Sequence, residues 1–176
     1  MTNFDMDAAG ARRLARLGGV LYLIIIVIGA LGEGFVRESI VVPGDAAATA
    51  ENLRSMESLW RLGVAGEGVL LVCTTALAVI LYVLLRRVSR NLAFAAVLFN
   101  IACIAIEGVA AVSLAEALIP ITNPSMFGDL APAQLDAISM FAIESHSFGF
   151  GMALIFLAPS ASFSATSSLA RATSRR

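Results

Sequence analysis

Few side chains in this sequence can do chemistry, and most of them stand inside apolar runs. Glu67, Asn100, Glu107, Glu144 and His146 form the candidate buried polar cluster. Carboxylates grouped with an imidazole can hold a cation or a small amine, or pass protons, and each is costly enough in an apolar medium to need a reason. Asn100 and Glu107 are seven residues apart, which puts them on one helix face about two turns from each other. Glu116 falls roughly opposite and is expected at a membrane interface. The plainer role for the cluster is hydrogen-bond glue, since polar contacts between membrane helices are common and contribute only ~0.6 kcal/mol on average.

Other chemistries lack their residues. The chain has one His and two Cys, Cys73 and Cys103, each inside an apolar run where a thiol serves as a small core hydrophobe. No short-spaced ligand set for zinc, no disulfide framework and no pair of histidines for haem is present within the chain. Nothing supplies a nucleophile beside a base or a phosphate-binding glycine loop. The sequence therefore assigns no catalytic residue, no metal ligand and no cofactor, and leans away from an enzyme.

The elements that must position the cluster follow from composition. Of 176 residues, 59% are hydrophobic and 14% charged, and the mean hydropathy is +0.86, whereas soluble domains average ~45–50% apolar and ~25% charged. Such a chain is neither a basic nucleic-acid binder nor a disordered tail protein, and a lipid bilayer is its expected solvent and partner. Apolar runs at about residues 15–36, 62–85, 92–118 and 138–158 each reach the ~20 residues that cross ~30 Å of hydrocarbon. The expected fold is all-α, a polytopic transmembrane bundle of four spans.

All twelve basic residues are Arg, which suggests a GC-rich bacterial genome. Arg12, Arg13 and Arg16 precede the first run, Arg86, Arg87 and Arg90 fill the tight second loop, and Arg171, Arg175 and Arg176 end the chain. By the positive-inside rule both termini are expected in the cytoplasm and the protein in a bacterial inner membrane. The first run is longer than a secretory h-region of ~7–15 residues, so an uncleaved first helix is expected.

In the first outer loop, Val42-Pro43-Gly44-Asp45 predicts a turn and a helix cap, followed by an amphipathic helix over about 46–61. Leu53, Met56 and Trp60 would share one face, with Trp60 at headgroup level. In the third loop Asp129 is expected to cap a helix beginning near Ala131. Residues 159–176, rich in Ser and Arg, are expected as a disordered tail. Counting depth from each span end places Glu33, Glu67, Glu107, Glu144 and His146 in the outer half, which predicts an outward-facing acidic cavity shared by Glu67, Glu107, Glu144 and His146.

Several stretches together resemble the bacterial domain-of-unknown-function 4386 family of multi-pass membrane proteins: Leu17 to Ile28, Val42 to Leu53, Glu57 to Gly63, Leu81 to Leu92 and Glu144 to Phe150. Residues fitting its pattern are the loop motif Pro43, Gly44, Asp45, Thr49, Asn52 and Arg61, with Arg90, Asn91, His146 and Gly149. The resemblance covers Ala15 to about Phe156 and implies a helical membrane protein of about six spans with no established activity. Beyond that point the sequence departs from the pattern. Residues 161–175, back-translated with GC-rich codons and read in a shifted frame, give ELLGYLVARSGYLP, close to the family's continuation. A frameshift or sequencing error near residues 155–161 is therefore expected. The function expected is a structural or regulatory membrane component, partnered with a second copy or another membrane protein; the alternative is a transporter or a small-ligand or cation binder using the acidic cavity.

Overall fold

Where each helix begins is decided by a short polar side chain or a proline placed before an apolar run. The computed structural model describes the backbone of residues 7–173 and the side chains of residues 7–157. Asp7 caps α1 (Ala8–Leu31) by accepting from the Gly10 N–H at 2.7 Å. The rod continues as a π-helical turn, Gly32–Arg37, and a last helical turn α2 (Glu38–Ile40). Asp45 caps α3 (Ala46–Ser55) through the Ala48 N–H at 2.9 Å. After a break at Met56 comes α4 (Glu57–Leu85), and Ser89 caps α5 (Arg90–Glu116). A short α6 (Ile119–Thr122) and a 3-10 turn (Pro124–Phe127) lead to α7 (Pro132–Thr173). There the Gln134 side chain accepts from the Ala131 N–H at 2.9 Å, so Gln134 with Pro132, and not Asp129, sets the start.

Among the described residues four helical segments are long and apolar enough to cross a membrane: Ala8–Ile40, Glu57–Leu85, Arg90–Thr122 and Pro132–Leu157. The architecture is an all-α polytopic bundle. α5 packs most extensively on α7, α1 on α4, and α4 on α5, while α3 lies across one end against α7. The densest core is at that end, where Val36, Ile40, Leu53, Trp60, Leu114, Leu118 and Ile143 meet. Outward faces carry Leu23, Val27, Val72, Val109 and Phe141, as lipid-facing helices should.

Two boundaries differ from the sequence expectation. The loop helix ends at Ser55, and residues 57–61 are instead the first turns of the second span. Trp60 is consequently 1% exposed inside the core, not at headgroup level. Its indole N–H donates to the Leu114 carbonyl at 3.1 Å. That oxygen is available because α5 is ending: the Leu118 N–H goes to Ala115 instead. At the other terminus the expected disordered tail is helical backbone as far as Thr173, a stretch rich in Ala and Ser with a Leu and an Arg; residues 174–176 lie outside the described residues.

Candidate functional site

The π-helical turn is the first device that builds the site. Its two glycines, Gly32 and Gly34, weaken the regular helix, and the Glu38 N–H reaches back five residues to the Glu33 carbonyl. This turn delivers Val36 and Arg37 inward, both buried. The Arg37 guanidinium contacts the Glu33 carboxylate and stands 3.5 Å from Glu67 Oε1 on α4. An arginine so buried needs such carboxylates, because an unpaired charge there would be prohibitive.

From α5 come Asn100, Cys103 and Glu107. The Cys103 thiol donates to Glu107 Oε1 at 3.7 Å, one turn away. Glu107 Oε2 is buried with no hydrogen-bond partner among the described residues, and Glu67 lies within electrostatic reach of the same carboxylate. A thiolate beside a carboxylate would set two like charges together in an apolar wall, so this pair works as a hydrogen bond.

Glu33, Arg37, Glu67, Asn100, Cys103 and Glu107 line one open cleft of about 740 Å³ between the α1–α4 and α5–α7 pairs. Below its charged end the cleft is walled by apolar groups such as Ile25, Leu77, Leu81 and Leu154, and it continues to Ala15, Leu84 and Leu157. Its volume lies within the ~300–1,000 Å³ typical of small-molecule sites.

His146 sits behind this wall, 1% exposed. Its Nδ1 lies 2.9 Å from the Ala110 carbonyl, so Nδ1 carries the proton, and Nε2 has no partner among the described residues. The ring stacks on Phe150, centroids 6.3 Å apart, and Phe150 lines the cleft. Arg37, Glu67 and Glu33 are within electrostatic range of His146. One turn along α7, a Cβ on Gly149 would come 2.9 Å from the Ala110 Cβ. The missing side chain lets the two helices approach closely enough for the imidazole to reach that backbone.

Of the expected cluster, Glu67, Asn100 and Glu107 share the cleft, His146 adjoins it, and Glu144 does not join them. Glu144 is exposed, because two residues on a helix point ~200° apart and His146 occupies the inward direction. Arg61 of the loop motif stays out of the site and bonds Glu57 at 2.7 Å on the exposed side. The cation in the site is Arg37, whose signal was the Glu33–Arg37 spacing inside an otherwise apolar stretch.

The remaining loop-motif residues have structural tasks. Gly44 takes a φ of 78° in the turn after Pro43, a left-handed value that glycine adopts without strain. Thr49 Oγ1 accepts from the Val42 N–H at 3.0 Å and donates to the Val42 carbonyl at 3.2 Å, and the Asn52 amide donates to the Ile40 carbonyl at 3.0 Å. Together with the Asp45 cap these bonds fasten the end of the first span to α3. Arg54, on the same helix, reaches Asp136 of α7 at 2.7 Å.

No curated protein and no solved structure matches the chain. A family model does match, over residues 17–169, reaching beyond the Phe156 at which the resemblance was read as ending. Four apolar helices and a match over most of its length make this chain an integral membrane protein that belongs to the family described as domain of unknown function DUF4386.

Proposed function

We propose that the protein is a non-catalytic membrane component that holds a small ligand in the cleft between its two helix pairs. The observation that carries this reading is the pairing of a cleft of about 740 Å³ with a buried, partnerless carboxylate oxygen, Glu107 Oε2, in its wall. Glue alone would leave each polar atom satisfied by another helix, as it does for Trp60 and Arg54. A carboxylate oxygen that meets no donor beside an open cleft is suited to a donor that arrives from outside. The acidic end belongs on the outer side of a bacterial inner membrane with both termini cytoplasmic, a placement supported by the arginines of the second loop and of the N-terminal segment.

Native mass spectrometry of the protein released from bilayer nanodiscs tests the reading. The wild type should retain a bound small molecule, and Leu77→Trp, which fills the cleft from α4, should lose it. Equal retention by both forms, or none by either, would overturn the assignment.

A further inference from the structure

The cleft is polar at one end only and apolar along the rest, a division that describes its ligand. From Ala15 to Glu33 along the first rod it spans eighteen residues, about 27 Å at ~1.5 Å per residue. A volume of about 740 Å³ over that length leaves room for an extended alkyl chain.

The charged end sets the headgroup. Glu33, Glu67 and Glu107 face a single guanidinium there, that of Arg37, which is already engaged with the first two. An anionic headgroup would meet three carboxylates and would have to take Arg37 from its partners. An ammonium adds the missing positive charge and supplies N–H donors, which is what Glu107 Oε2 lacks. Lipid tails are as apolar as leucine, so moving an alkyl chain from the bilayer into the cleft gains little and the headgroup must carry the selectivity.

We infer that the cleft takes an amphiphile with a cationic amine headgroup, the ammonium lying between Glu67 and Glu107 and its alkyl chain running down between Leu77 and Leu154. This rests on the ligand-binding reading above and names the ligand class.

The test uses the full chain in phosphatidylcholine nanodiscs and three probes of equal chain length: hexadecylamine, hexadecanol and palmitate. Each competes against a tritiated hexadecylamine tracer. Hexadecylamine should displace the tracer at least tenfold better than the alcohol, and palmitate least of all. Glu107→Gln and Glu67→Gln should each weaken amine binding about tenfold while leaving alcohol binding unchanged, and Leu77→Trp should abolish both. Equal displacement by amine and alcohol, or preference for palmitate, would overturn the amine assignment while leaving a ligand-holding cleft in place. Tracer binding that Leu77→Trp does not reduce would sink the cleft reading itself. Should either Gln variant fail to fold, the wild-type ranking of the three probes still decides, and Glu144→Gln, at an exposed carboxylate outside the cleft, must leave amine binding unchanged; a tenfold loss there would count against the proposal.

Discussion

His146 Nδ1 and the Ala110 carbonyl meet at 2.9 Å because Gly149, one turn from His146 on α7, brings that helix onto α5. The same segment of α5 is tied to α4 one turn later, where the Trp60 indole N–H donates to the Leu114 oxygen. Backbone carbonyls of α5 thus anchor both α4 and α7, and the cleft opens beside this fixed pair.

Gly149→Ala should destabilise the bundle by about 1–3 kcal/mol, because the added Cβ overlaps Ala110 and must push the helices apart. Reversible unfolding in mixed micelles measures the change. Gly151, whose Cβ would meet nothing within 4 Å, is the control, since Gly151→Ala changes only helix propensity, in the favourable direction; an equal loss there would show that the Ala110 contact is not the cause.

Trp60→Phe should cost about 0.5–1.5 kcal/mol by removing the donor to Leu114 while leaving most of the apolar contact. Trp60→Ala should cost about 3–5 kcal/mol, since it also empties part of the core. Similar values for the two would mean that the hydrogen bond, and not the packing, dominates there.

The four spans were legible because apolar runs of bilayer length dominate their neighbourhoods. The loop motif was legible as a turn and cap, since the Gly44–Asp45 chemistry is local. What failed to show was set by tertiary geometry. Trp60 read as interfacial because amphipathic periodicity continues through Met56, and nothing local marks the break that hands residues 57–61 to α4. The Arg54–Asp136 bond joins residues 82 apart in sequence, a separation no periodicity reports. Arg37 stands just past the first apolar run, and its burial cannot be read there because the π-helical turn that buries it depends on packing against α4. Glu144 was grouped with His146 by depth alone, when the angle around the helix decides which of them faces inward.

Thr49→Val should loosen the loop between α2 and α3, since it removes both bonds to Val42 from a buried site. A loss of about 1–3 kcal/mol is expected, together with faster hydrogen exchange over residues 40–45. Unchanged exchange there would mean that the Asp45 cap alone holds the loop.

Single cysteines placed in a cysteine-free background report the orientation in intact cells. Ala47→Cys and Ala133→Cys, both at exposed positions, should react with an impermeant maleimide, and Arg86→Cys should react only after lysis. The reverse pattern would put the acidic end of the cleft in the cytoplasm.

The most direct measurement of the central claim is photolabelling in nanodiscs with a hexadecylamine that carries a diazirine in its chain, followed by peptide mapping. Adducts should fall on the cleft lining at Leu77, Leu81 and Leu154, and excess unlabelled hexadecylamine should suppress them. Labelling confined to outward positions such as Val72 and Val109, indifferent to competitor, would contradict a ligand held in the cleft.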